Sequence, residues 1–331
     1  MDLRRLICGL RLTKRLLANT TISGPAAEDK GAKRASGASC CAQGQRQRLR
    51  AEPALMGGQS ICTKRSLAWY SDLVATENLD FAGRCVLVTG GVRGIGLGIT
   101  RRFLEYGADV VVCARTKPEV LPAAAGRTAS YVQADVRDPG QVDQLVQAAV
   151  DRFGRLDVVV NNAGGTPQLD AADAPPKVHS KIIELNLLAP LHVAQRANKV
   201  MQDQPDGGSV IMIGSVSGVR PSPGTAAYGA AKAGLHHLAT SLAVEWAPKV
   251  RVNSVIVGLV ATERAAAHYG DASSQAAVAA TVPLGRMGSP EDVAGACLFL
   301  ASSLASYVTG SALLVHGGGE RPAFLNAVES A

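Results

Sequence analysis

Residues 85–96 read Cys85-Val-Leu-Val-Thr89-Gly90-Gly91-Val92-Arg93-Gly94-Ile95-Gly96. The first five form a short apolar run of the kind a parallel strand covered on both faces requires. Beyond them Ile95, Ile99 and Phe103 recur at four-residue steps, the stripe of a helix with one buried face. Between the two stand Gly90, Gly94 and Gly96. A pyrophosphate held at such a turn needs backbone N–H groups aimed at it, no Cβ in the way, and a helix N-terminus behind it. Strand, glycine loop and helix in this order meet all three needs. The spacing, G-x-x-x-G-x-G after Thr89, differs from the G-x-G-x-x-G arrangement, and a glycine triplet alone reads equally well as an ordinary turn.

The rest of the chain repeats the alternation. Strands are expected near 109–113, 130–134, 156–160, 208–214, 250–257 and 311–315. Asp138-Pro139 supplies an N-cap and a first-turn proline for a helix whose Val142, Leu145, Val146, Ala149, Val150 and Phe153 share one face, and Gly154 closes it. Ser289-Pro290-Glu291-Asp292 opens another, with its acids at the positive end of the helix dipole. The pattern implies an α/β protein: one doubly wound, parallel, seven-stranded sheet of Rossmann type with helices on both faces. Ligands of such sheets bind outside the carboxyl ends of the strands. The organisation expected is an N-terminal extension over 1–75, a dinucleotide-binding catalytic domain over 80–319 and a tail over 320–331.

Charge and composition remove other classes. The chain of 331 residues carries +7, but residues 1–70 hold 13 Lys/Arg against four acids, leaving 21 basic and 23 acidic residues beyond them. A nucleic-acid binder would carry the basic charge on its folded domain, interleaved with stacking aromatics, and only 4% of the residues are aromatic. No run approaches the roughly 20 apolar residues of a membrane span. Seven cysteines form no CxxC pair, which points to a reducing compartment and the cytoplasm. The opening Met1-Asp-Leu-Arg-Arg-Leu-Ile, basic and amphipathic, reads either as a mitochondrial transit peptide or as sequence upstream of a later start such as Met56; in both cases no packed structure is expected before about residue 75.

The residues with chemistry lie just after expected strands. Tyr228-Gly-Ala-Ala-Lys232 puts a phenol and an ammonium four residues apart, on one face of a helix. An unperturbed tyrosine, with a pKa of about 10, is a poor base at neutral pH. A fixed ammonium nearby and the positive ring of an oxidised nicotinamide both favour phenolate, so together they are expected to lower that value and let Tyr228 act as acid or base. Asp135-Val136 follows the third strand, Asn161-Asn162-Ala163-Gly164 the fourth, and Ser215 ends Val210-Ile-Met-Ile-Gly214. Asn186 stands within the apolar helical stretch Glu184-Leu-Asn-Leu187.

In their order and spacing these motifs resemble the short-chain dehydrogenase/reductase superfamily over about residues 80–319. The resemblance implies that Ser215, Tyr228 and Lys232 form the catalytic set, with Ser215 hydrogen-bonding the substrate oxygen, Lys232 binding ribose, and Asn186 holding a water that links Lys232 to solvent. It implies cofactor contacts at Gly90, Arg93, Gly94, Ile95 and Gly96, at Asp135 and Val136 beside the adenine, at Asn162, Ala163 and Gly164, and at Gly258 and Thr262 over the nicotinamide. Family members that use NAD usually carry Asp at the end of the second strand. This chain has Ala114-Arg115 there, and Arg93 faces the same pocket, so two guanidinium forks suit the 2′-phosphate of NADP. Val257 and His316 stand where the family often has Pro and Asp.

The implied reaction interconverts a ketone and a secondary alcohol. The substrate expected is a 3-oxoacyl thioester or similar lipid-derived carbonyl, with a steroid or other bulky ketone, using NAD, as the alternative; its identity is expected to lie in a lid between Thr262 and about Met287 that includes Glu263, Arg264, His268 and Tyr269. Family members assemble as homotetramers or homodimers through the helices carrying Asn186 and Tyr228. Leu235, Leu238, Leu242 and Trp246 serve that contact or the core.

Three other readings fail. Gly214-Ser-Val-Ser-Gly218 matches the G-x-S-x-G elbow of serine hydrolases, but Pro221 and Pro223 follow where that elbow needs a helix. The six histidines form no HExxH, so no metal is expected. A non-catalytic NADP-binding module would have lost Ser215, Tyr228 or Lys232.

Overall fold

The computed structural model describes residues 79 to 329. The expectations for residues 1–75 fall outside that range. The five residues of strand β1 (Cys85–Thr89) are all buried. Helix α1 (Gly94–Glu105) follows, then β2 (Asp109–Ala114). Two two-residue strands, β3 (Ala123–Ala124) and β4 (Arg127–Thr128), make a small hairpin turning through Ala125 and Gly126, both at positive φ. Nothing in the alanine-rich sequence signalled it.

Next come β5 (Ser130–Gln133), α2 (Pro139–Phe153), β6 (Val158–Asn161), α3 (Pro176–Ile183), α4 (Ala189–Asp203) and β7 (Gly208–Ile213). Helix α5 (Ala226–Trp246) leads to β8 (Val250–Val257), then α6 (Ala265–Tyr269), α7 (Ala272–Ala280), α8 (Pro290–Ala301), β9 (Ala312–Val315) and α9 (Ala323–Glu329). The caps expected at two helices are formed. Asp138 accepts from Gly140 and Gln141 N–H, Gly154 ends α2 in the left-handed region, and Ser289 and Asp292 make a reciprocal capping box on α8.

Seven strands build one parallel sheet in the order β5-β2-β1-β6-β7-β8-β9. Alternation along each strand divides the core in two. On one face Leu87, Val111, Val159 and Met212 meet α2, α4 and α5; on the other Val86, Val88, Val112 and Ile213 meet α1 and α8. Leu235, Leu242 and Trp246 are buried in the first of these layers, so α5 spends its apolar stripe on its own core. Burying one such side chain is worth about 1.5–3 kcal/mol, which is why nearly continuous apolar strands suit a doubly covered sheet. The chain leaves β1 for β2 on one side and returns to pair β6 on the other. That reversal opens a crevice at the carboxyl ends of β1 and β6, where Gly90 and Asn162 stand. Among the described residues no helix is long and apolar enough to cross a membrane.

Candidate active site

The crevice is tied together by Thr89. Its Oγ1 accepts from Asn162 N (3.0 Å) and Ala163 N (2.9 Å), while Asn162 Nδ2 donates to Thr89 O (2.8 Å) and Gly90 O (3.3 Å). Asn162 therefore splints the glycine loop to the end of β6. Gly90 turns out of β1 at φ 65°, in the left-handed region. A Cβ on Gly96 would lie 2.4 Å from Gly90 O and 2.5 Å from Asn162 Nδ2, so only glycine lets α1 begin this close to the strand. Arg93 caps the helix with backbone alone, and the first turn contains no acid. Instead Gly94 N donates to Glu263 Oε1 at 3.0 Å. A carboxylate from the far side of the crevice stands where an anion suits the helix N-terminus.

Arg93 and Arg115 are both exposed, and no ion pair engages either among the described residues. The charge of Arg115 reaches Asp135, which a two-point pair with Arg137 (3.0 and 2.5 Å) holds below the usual carboxylate range. Val136 is buried beside it. The close-packed glycines, the anion-accepting helix end, and the guanidinium groups of Arg93 in the glycine loop and Arg115 just after β2 fit a phosphorylated dinucleotide.

At the carboxyl end of β7, Ser215 caps a short 3₁₀ turn, its Oγ accepting from Ser217 N at 3.1 Å. The same hydroxyl faces the Tyr228 phenol and favours its ionised form. Burial raises the Tyr228 pKa above its ordinary value, Ser215 pulls it down, and the neighbouring Tyr269 phenol raises it further. The expected lowering by Lys232 is not found. The Lys232 ammonium lies 5.6 Å from the tyrosine ring centroid and donates to Ile213 O at 2.8 Å. Removal from water outweighs the pull towards phenolate. Lys232 itself is 4% exposed, and burial pushes its pKa down to about 8.

Asn186 differs from expectation in its backbone: it sits in a π-helical turn, Glu184–Leu188, between α3 and α4. Fully buried, its amide donates to Gly165 O (2.9 Å) and Ile182 O (3.0 Å) and accepts from Gly165 N (2.9 Å). A Cβ on Gly164 would lie 2.7 Å from Asn186 Oδ1 and 3.4 Å from Lys232 Nζ, so that glycine lets amide and ammonium converge. Asn186, Ser215, Tyr228 and Lys232 thus meet at one end of the crevice.

Gly258 packs on His316, whose Cβ lies 2.6 Å from where a Cβ of Gly258 would stand. Thr262 precedes the two short helices α6 and α7, and its Oγ1 accepts from Arg264 N at 3.3 Å. Sequence reading named Glu263 and Tyr269 but missed three of their relations: the Glu263 contact with Gly94; the effect of the Tyr269 phenol on Tyr228; and the Arg220–Glu320 ion pair (2.6 Å) whose charges reach Tyr269. Each joins residues distant in the chain, and no local pattern marks such pairs.

A family model described as "Enoyl-(Acyl carrier protein) reductase" matches residues 90–320. The chain is 38% identical over 245 residues to an L-rhamnose 1-dehydrogenase (NAD(P)(+)) of Azotobacter vinelandii, covering 71% of this chain and 96% of the relative. It is 37% identical over 246 residues to 3beta-hydroxysteroid dehydrogenase 1 of Eggerthella lenta, covering 72% and 94%. The crystal structure of a short-chain type dehydrogenase/reductase from Mycobacterium marinum superposes with a TM-score of 0.69 at 34% identity, over 74% of this chain and 99% of that one.

Proposed function

The chain belongs to the short-chain dehydrogenase/reductase superfamily, and from that premise we propose that it interconverts a ketone and a secondary alcohol with NADP as hydride carrier. The observation that carries this reading is the Ser215 hydroxyl facing the Tyr228 phenol, with a lysine that is 4% exposed 5.6 Å from the phenol ring centroid. Bound, the reduced cofactor supplies the hydride that goes to the carbonyl carbon. Tyr228 gives its phenolic proton to the carbonyl oxygen in reduction and takes it back in oxidation. Its raised pKa keeps that proton in place at neutral pH, the state needed for reduction. Ser215 holds the same oxygen against the phenol. Lys232 remains largely protonated at pH 7, and its charge steadies the phenolate left behind. Asn186 fixes the Gly164-Gly165 backbone next to Lys232, through which a proton returns from solvent.

Arg93 and Arg115, exposed and with no acid at the end of β2, support NADP over NAD. An apolar slot lined by Pro167, Leu169, Ala171 and Ile182 runs from the Asn186 loop to the start of α5. Thr166, His179 and Thr225 line it as well, so the hollow alone selects no substrate; a lipid-derived ketone, a 3-oxoacyl thioester in particular, is supported by the match to the family model described as "Enoyl-(Acyl carrier protein) reductase". The similarity to a hydroxysteroid dehydrogenase favours a second reading, a bulky steroid ketone as substrate. Val244 (82% exposed) and Leu188 (42% exposed), on and beside α5 and α4, support homo-oligomer assembly through these helices.

The test is the loss of reduced-nicotinamide absorbance when the protein meets an acetoacetyl thioester or a 3-ketosteroid, with NADPH and NADH in parallel. Turnover with NADPH, reduced at least about a hundredfold in Tyr228→Phe, is expected. Equal rates in the variant would remove Tyr228 from the chemistry, and a preference for NADH would refute the role of the two arginines.

A further inference from the structure

We propose that Glu263 is a built-in competitor for the cofactor's pyrophosphate: its carboxylate holds the glycine-loop donor Gly94 N–H and tethers the lid, and the dinucleotide binds by displacing it. This rests on the dinucleotide-binding reading above.

Three observations carry it. Gly94 N, the first residue of α1, donates to Glu263 Oε1 at 3.0 Å, although 169 positions separate the two residues. Helix α1 has no other acid to meet its N-terminal charge: Arg93 makes no side-chain cap and the first turn contains no Asp or Glu. Both Glu263 and the Arg93 side chain are exposed, so the carboxylate can leave for solvent at little cost once another anion takes the donor.

One N–H cannot serve both anions, and two negative groups at one helix end repel. Glu263 therefore subtracts from cofactor affinity whatever it contributes at that donor. Its position adds a mechanical consequence. Thr262 is its chain neighbour, Ala265 N donates to Thr262 O at 2.9 Å, and Tyr269 ends α6 four residues later with its phenol close enough to Tyr228 to act on its ionisation. Displacing Glu263 frees the first turn of the lid between Thr262 and Tyr269, beside the candidate nicotinamide loop and the Tyr228 phenol.

The test uses two probes bound to the full chain and read by calorimetry. ADP-ribose contains the pyrophosphate; adenosine 2′-monophosphate reaches the Arg93/Arg115 pocket without it. In Glu263→Gln and Glu263→Ala the ADP-ribose affinity is expected to rise about two- to fivefold at low salt, the worth of one carboxylate at an exposed helix N-terminus. The affinity for adenosine 2′-monophosphate is expected to stay unchanged. Hydrogen exchange over residues 264–269 is expected to quicken on adding ADP-ribose to the wild type, and to be fast beforehand in the variants. Equal or weaker ADP-ribose binding in the variants would overturn the proposal. An equal rise for both probes would overturn it too, reducing Glu263 to long-range repulsion. Failure of ADP-ribose to bind either form would instead remove the dinucleotide reading and this inference with it.

Discussion

Replacing Lys232 with methionine should make the protein more stable while abolishing its activity. The lysine is 4% exposed, and burial carries its pKa from 10.5 down to about 8. At 1.36 kcal/mol per tenfold, keeping it charged inside costs about 3 kcal/mol relative to an exposed lysine. Methionine fills similar volume without that cost, but forfeits the 2.8 Å hydrogen bond to Ile213 O, worth about 1 kcal/mol. The variant should therefore gain about 2 kcal/mol at pH 7, or roughly 0.7 M in urea midpoint at an m-value of roughly 3 kcal/mol/M. The dependence on pH has a definite sign. Below about pH 8 folded and unfolded chains both hold the proton, and the whole cost is present. Between about 8 and 10.5 the unfolded chain keeps a proton the folded chain has released, so the wild type gains stability as pH rises and the gap to the variant closes. Urea unfolding of both proteins at half-unit steps from pH 7 to 10.5 measures this, and other titrating groups cancel in the difference. A variant no more stable at pH 7, or a gap indifferent to pH, would refute the claim that Lys232 is a buried charge held against its desolvation.

Removing either guanidinium, in Arg93→Ala or Arg115→Ala, should weaken NADPH binding about ten- to a hundredfold, each charge-assisted bond to phosphate being worth about 1.5–3 kcal/mol, and leave NADH unaltered; titration of nicotinamide fluorescence reads both. Gly96→Ala drives a Cβ to 2.4 Å from Gly90 O, so the loop must shift: stability should fall by about 1–3 kcal/mol and ADP-ribose affinity at least about tenfold. Asn186→Leu strands the Gly165 N–H and C=O and the Ile182 C=O, and should lower stability by about 3 kcal/mol in urea unfolding together with the rate of ketone reduction.

Features encoded locally were legible. The continuous apolar run of β1, the Asp138 and Ser289 caps and the four-residue stripe of α1 each use neighbours in the chain, so the sequence shows them directly. Strand boundaries fall within about two residues of expectation for the same reason. The candidate residues Ser215, Tyr228 and Lys232 were placed by the same local signals, Ser215 directly after β7 and the other two within the first two turns of α5. The π turn at Asn186 was not: Glu-Leu-Asn-Leu-Leu reads as a plain helix, and the extra residue is accommodated because the Asn186 amide takes up Ile182 O and the Gly165 backbone, a loop twenty-one positions away. Arg220 with Glu320 and Glu263 with Gly94 are likewise tertiary facts.

The raised phenol of Tyr228 is the instructive disagreement. Sequence spacing places an ammonium near it and predicts a lowered pKa, because charge is the only influence a four-residue spacing reveals. Folding adds the term that wins, burial of both groups, and turns the ammonium towards Ile213 O. Close by, His236 Nε2 is buried with no partner beneath Gly214 and Gly218, its pKa lowered first by burial and then by Lys232. A buried ammonium and an unpartnered imidazole beside one serine turn are unfavourable for stability, and the two apolar layers on either side of the sheet offset them. The Tyr228 phenol adds no such cost at neutral pH, where it is neutral folded and unfolded alike; burial widens the margin by which it holds its proton, with the Lys232 ammonium 5.6 Å from its ring.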